Sequence, residues 1–241
     1  MSAAGPRVYL LDIEGTIAPL SLVSEQLFPY ARRHLEKFLT EHADEAGVRT
    51  DLALLEAENR AESDGSAPRI EAAGTVEEAQ RYLLWLMDRD RKSTALKSLQ
   101  GKIWKAGFES GELKGTLFAD VPAALRRWSL RGRVAIYSSG SVEAQRLLFR
   151  WSSYGDLSGV ISGYFDTRTG SKRESASYRE IARKLEVDPG EMLFFSDVAE
   201  ELDASREAGC RTRLVVRAGN APVAGGHGHR QIETLGEESA D

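Results

Sequence analysis

Asp12 and Glu14 stand one residue apart directly after the apolar run Val8–Leu11, and Gly15 and Thr16 follow them. Residues i and i+2 of an extended chain point to one side, so both carboxylates can face a single site. Gly15 permits a tight turn there, and Thr16 adds a hydroxyl. Paired acids can do acid–base, nucleophilic or cation-binding work. The bland alternative is that one of them caps a following turn or helix.

Three later stretches offer groups that complement the acids. Tyr137-Ser138-Ser139-Gly140-Ser141 closes a second apolar run with hydroxyls and a glycine before a helical pattern. Hydroxyls and backbone N–H groups at a helix start suit an anion, although Ser139 or Ser141 can equally be only the helix cap. Thr169-Gly170-Ser171-Lys172 brings a lysine after a glycine turn, a weak signal alone because a loop lysine is usually solvated. Phe194-Phe195-Ser196-Asp197 ends another apolar run in a further carboxylate.

These groups need elements to aim them. The runs Val8–Leu11, Val134–Tyr137, a weaker Gly159–Phe165, Met192–Phe195 and Leu214–Val216 read as buried strands. Helical patterns lie between the later ones. Val142–Phe149 puts Ala144, Leu147 and Leu148 on one face, and Tyr178–Leu185 aligns Tyr178, Ile181, Ala182 and Leu185. Alternation of this kind predicts an α/β fold, a Rossmann-like parallel sheet covered on both faces. Ligands of such sheets bind beyond the carboxyl ends of the strands, which is where Asp12, Glu14 and Asp197 fall.

The alternation is interrupted once. From residue 20 to 116 no convincing strand occurs. Leu27, Ala31, Leu35 and Phe38 fall at helical spacing, and helical patterns follow near Asp51–Ala61, Val76–Arg89 and Thr94–Ala106, with a loop at Ser63–Pro68. The expected organisation is a core of residues 1–19 and 117–241, with a helical cap of residues 20–116. Trp104 and Phe108, four apart on a helix, read as core rather than as pocket wall. The tail from Ala218 reads as loop. His227 and His229 within it can approach a metal at i, i+2, but an isolated pair lacks a full ligand set and a solvated loop is expected.

Composition narrows the function. A formal net charge of -5 over 241 residues argues against nucleic acid, which demands a dense basic surface. Nothing approaches the ~20 apolar residues of a membrane helix, and Met1–Arg7 is too short and polar for a signal peptide. A cytoplasmic protein with no membrane partner is the expectation. Cys210, the one cysteine, has no disulfide partner and reads as a buried structural thiol.

Acid, hydroxyl, lysine and acid, in that order, resemble the four motifs of the haloacid dehalogenase-like phosphohydrolases. The closer resemblance is to the enolase-phosphatase (acireductone synthase) family of methionine salvage, which has glutamate where most of the superfamily has a second aspartate: "DIEGT" at Asp12–Thr16. It continues through "LFPYAR" (Leu27–Arg32), "DRKSTALKSLQGKIW" (Asp90–Trp104), "GELKG" (Gly111–Gly115), "YSSGSVEAQRLLF" (Tyr137–Phe149), "ESASYREIA" (Glu174–Ala182) and "GNA" (Gly219–Ala221). One departure is Ala218, where similar proteins read "RPGNA"; loss of that proline is expected to loosen the loop without touching a proposed catalytic group.

The resemblance implies a monomer with one Mg²⁺ per subunit and a small phosphorylated substrate. Asp12 and Asp197 would hold the metal with the backbone carbonyl of Glu14. Asp12 would attack phosphorus, Glu14 would move protons, and Ser138, Ser139 and Lys172 would bind the phosphoryl oxygens. The implied reaction takes 2,3-diketo-5-methylthiopentyl-1-phosphate through an enol phosphate to the acireductone 1,2-dihydroxy-3-keto-5-methylthiopentene. The enolisation base stays open among Glu14, Glu112 and Lys114, and the last two are as well read as solvated charges beside a turn.

Overall fold

The computed structural model describes residues 5–71, 74–222 and 225–238. The chain forms two compact units, residues 1–23 with 114–241, and residues 24–113. The α-helices among the described residues are α1 (Phe28–His42), α2 (Ala46–Ala61), α3 (Val76–Asp88) and α4 (Thr94–Ser110) in the second unit. In the first they are α5 (Val121–Ser129), α6 (Val142–Arg150), α7 (Ser175–Lys184) and α8 (Ala199–Glu207).

Among the described residues the first unit is built on six parallel strands, β1 (Val8–Leu11), β2 (Arg133–Tyr137), β3 (Gly163–Phe165), β4 (Met192–Ser196), β5 (Arg211–Val215) and β6 (Arg230–Ile232), in the order β3-β2-β1-β4-β5-β6. All four residues of β1 are buried, which is why its sequence is a continuous apolar run rather than an alternating one. Tyr9 stacks on Trp128 of α5, and Trp128 on Phe195, with centroids 4.7 Å and 5.0 Å apart. On the opposite face Tyr178 of α7 packs against Tyr137 and Phe194.

Register places the chemistry. Leu11 is level with Ile136 of β2 and with Phe195 of β4. Asp12, Ser138 and Asp197 therefore leave the sheet at one edge within a residue or two of each other. Strand order reverses on either side of β1, so the crevice of this doubly wound sheet opens at that edge.

Among its described residues the second unit consists of helices and their connecting loops, with no strand. A reciprocal cap between Thr75 and Glu78 starts α3, and Ser93 accepts from the Leu96 N–H to start α4. Gly111, at φ +82°, ends α4 in the left-handed region. Leu35, Leu55, Leu83, Leu99, Ile103 and Phe108 are buried, and Lys102 of α4 reaches Asp51 of α2 at 2.5 Å.

Several local expectations are corrected. The weak strand over 159–165 is a 3₁₀ turn, Ser158–Val160, before the three residues of β3. Helices α5 and α8 fall in stretches whose pattern the sequence reading passed over. The tail is not all loop: β6 pairs with β5, Arg213 level with Arg230 and Val215 with Ile232. His229 belongs to that structure, with its side chain fully buried. Its Nδ1 lies 2.8 Å from Thr212 Oγ1 and its Nε2 3.2 Å from Asp203 Oδ1. Cys210 is buried as expected, and burial pushes its thiol up. Among the described residues no helix is long and apolar enough to cross a membrane.

Candidate active site

The chain turns sharply after β1. Ile13 O accepts from the N–H groups of Thr16, Ile17 and Ala18, and Gly15, at φ +73°, donates to Ala18 O at 2.8 Å. A Cβ on Gly15 would collide with Asp197 Oδ2, so only glycine lets the end of β4 come this close to the turn.

Lys172 stands between two acids. Its Nζ lies 2.6 Å from Asp12 Oδ1 and 2.7 Å from Glu201 Oε2, with all three side chains nearly buried. Burial pushes the Asp12 carboxyl well above the usual carboxylate range; Lys172 opposes this, while Glu201 and Glu14 add to it. Burial works against the charged form of Lys172, but Asp12 and Glu201 outweigh it and hold the ammonium above the ordinary lysine range. Burial also raises Asp197, to about 6, helped by Glu201 and Glu14.

Three hydroxyls fasten the lysine loop from outside. Tyr137 donates to Gly170 O at 3.0 Å, Ser177 to Ser171 O at 2.7 Å and Tyr178 to Lys172 O at 2.6 Å. Three consecutive carbonyls are thereby satisfied by β2 and α7. Gly170, at φ +140°, is packed so tightly on Ser177 that a Cβ there would meet its hydroxyl.

Ser138 is fully buried; its Oγ donates to Glu14 Oε2 at 3.3 Å and accepts from the Gly140 N–H at 3.2 Å. Ser139 is exposed beside it. Ser141 is the cap of α6, accepting from Ala144 N. Gln145 of α6 donates to Gly140 O and Phe165 O and so ties the serine loop to β3.

The sheet edge thus brings together Asp12, Glu14, Ser138, Lys172 and Asp197. The sequence reading missed two neighbours. Glu201, in the first turn of α8, also accepts from Ser196 Oγ at 2.8 Å; its only sequence signal is its place four residues after Asp197. Asn220 is the other: its amide donates to Gly15 O at 2.8 Å and to Asp197 Oδ2 at 3.3 Å. Of the other candidates, Glu112 accepts from Tyr30 in the helical unit at 3.1 Å, and Lys114 opens the second segment of the sheet unit. Phe108 is buried core, and Trp104 donates to Leu27 O.

Lys172 is paired with Asp12 and Glu201, and Glu14 and Asp197 add two more carboxyls; burial first, and these neighbouring acids second, raise Asp12 and Asp197. A hard divalent cation suits this oxygen-only donor set. Among the described residues no three His, Cys, Asp or Glu side chains form a metal cluster. Asp12 and Asp197 with a backbone carbonyl match a hydrated Mg²⁺, which takes few protein ligands, better than a metal needing a full cage.

Residues 6–209 match the haloacid dehalogenase-like hydrolase family. Two curated relatives, both named Enolase-phosphatase E1, come from Synechococcus elongatus and Pseudomonas aeruginosa. The first is 52% identical, covering 89% of this chain and 90% of the relative; the second is 47% identical, covering 89% and 92%. The crystal structure of the UTR4 protein of Saccharomyces cerevisiae superposes with a TM-score of 0.79 at 36% identity, covering 95% of this chain and 98% of that one. With these motifs and this strand order, the chain belongs to the enolase-phosphatase E1 family of haloacid dehalogenase-like hydrolases.

Proposed function

We propose that this chain is the acireductone synthase of methionine salvage, converting 2,3-diketo-5-methylthiopentyl-1-phosphate to 1,2-dihydroxy-3-keto-5-methylthiopentene and phosphate. The observation that carries the reading is the division of the first motif: Asp12 is ion-paired to Lys172 while Glu14 is held by Ser138. Two acids on one turn thus receive different partners and can take different tasks.

In the phosphatase half, an Asp12 oxygen attacks phosphorus in line with the leaving ester oxygen, and the P–O bond to the substrate breaks. Glu14 protonates that leaving oxygen. The aspartyl-phosphate is then hydrolysed by a water that Glu14, now ionised, deprotonates. Lys172, Ser138 and Ser139 hold the phosphoryl oxygens as charge spreads over them. In the enolase half, the proton leaves the carbon bearing the ester, which the neighbouring carbonyl acidifies. We assign its removal to Glu14, which shares a turn with Asp12. One Mg²⁺ would be held by Asp12, Asp197 and the Glu14 carbonyl, and would supply positive charge that favours ionised Asp12 and offsets the phosphate dianion. The family fits a monomer working in the cytosol, and we extend both to this chain.

The test supplies the diketo phosphate anaerobically, with and without Mg²⁺, and follows enol absorbance and free phosphate together. Metal-dependent appearance of both is expected, with no phosphate from Asp12→Asn. Phosphate without the acireductone enol would reduce the protein to a general phosphatase. Turnover by Asp12→Asn at the wild-type rate would remove Asp12 as nucleophile.

A further inference from the structure

The segment after β5 reaches the strand-end acids, and nothing in the reaction above uses it. Arg217 is buried beneath the first turn of the site. Its Nε donates to Thr16 O at 3.0 Å, and its two terminal nitrogens each meet a carboxylate oxygen of Asp120 at 3.0 Å. One of them also donates to Glu233 O at 2.9 Å, and the guanidinium lies 4.4 Å over the Phe118 ring. This anchor fixes where the following loop begins.

Three residues on, the Asn220 amide donates to both Gly15 O and Asp197 Oδ2. Both partners are acceptors, so the NH₂ group must face them and the flip of this side chain is settled by chemistry. Arg217 and Asn220 therefore grip two consecutive carbonyls of the turn that carries Asp12 and Glu14. Asp197 Oδ2 is boxed in, with the Asn220 amide and the bare Cα of Gly15 as neighbours.

We propose that Asn220 is a positioning residue of the cation site, locking the rotation of the Asp197 carboxylate and tying it to the Gly15 turn. The proposal rests on the reading that Asp197 holds Mg²⁺. Asn220 acts through its two partners, Gly15 O and Asp197 Oδ2. It sets the plane of the Asp197 carboxylate before any cation arrives, so that ordering of this ligand is not drawn from binding energy. Without it, Asp197 is free to turn away from the neighbouring acids Glu201 and Glu14.

Calorimetric titration of the metal-free 241-residue chain with Mg²⁺ tests this, using wild type, Asn220→Ala, Asn220→Ser and Asp197→Asn, with thermal melts of each metal-free protein. Both Asn220 variants should bind Mg²⁺ at least tenfold more weakly. Their metal-free Tm should stay within a few degrees of wild type, and KM for the phosphorylated substrate should return to the wild-type value once Mg²⁺ is saturating. Wild-type Mg²⁺ affinity in Asn220→Ala would overturn the proposal. So would weakened binding accompanied by collapse of the metal-free Tm in both variants, which marks a loop-folding role. Failure of wild type to bind Mg²⁺, or undiminished binding by Asp197→Asn, would instead overturn the metal reading on which it stands.

Discussion

At the scale of single residues, the site depends on a lysine held by backbone rather than by its own head group alone. The hydroxyls of Tyr137, Ser177 and Tyr178 fix carbonyls 170 to 172, and the ammonium is then delivered between Asp12 and Glu201. Tyr178→Phe removes one neutral hydrogen bond and leaves the ring packing, so it should cost about 1 kcal/mol of stability. It should also lower kcat/KM several-fold through a looser Lys172; urea melts and steady-state kinetics on one preparation check both. The sequence showed Asp12 and Asp197 because each ends an apolar run, and Lys172 because it follows a glycine turn. Glu201 was hidden because Glu200 and Glu201 read alike as acids of a solvated helix. Only the register of α8 on the sheet turns one of them inward. Asn220 was hidden because its partners are 205 and 23 residues away in sequence, and no local pattern encodes that approach.

At the scale of elements, the sheet is extended by a strand that composition disguised. Strand β6 has three residues, two of them exposed, and a glycine-histidine stretch precedes it, so neither periodicity nor length marked it. What docks it includes His229, buried against Thr212 of β5 and Asp203 of α8. Burial lowers the His229 pKa, Arg206 lowers it further, and Asp203 only partly opposes them. A depressed imidazole binds its proton less readily in the folded than in the unfolded chain. Its stabilising contribution is therefore complete above the usual histidine value of about 6.5 and is lost as pH falls below it. His229→Gln should be less stable than wild type at pH 8, and the gap in Tm should narrow on acidification to pH 5.5. A constant gap across that range would show that His229 does not titrate in the fold's favour. The long apolar strands β1, β2 and β4 were legible for the opposite reason: burial on both faces leaves an unbroken apolar signature.

At the scale of the molecule, the surplus of carboxylates over ammonium at one sheet edge is charge that folding confines and the unfolded chain disperses. A cation that binds only the folded site must stabilise the fold by linkage, by about 2.7 kcal/mol at a hundred times its dissociation constant. Thermal melts over a Mg²⁺ series should show Tm rising with concentration in wild type and flat in Asp197→Asn. The order of the strands carries a different consequence, for how the protein is made. The central strand β1 is synthesised first, yet its neighbours begin at Arg133 and Met192. On the ribosome it has no partner until most of the chain has emerged, while the intervening helices can close on local contacts. The turn that carries Asp12 and Glu14 is thus made before every other part of the site, and its surroundings are among the last to assemble.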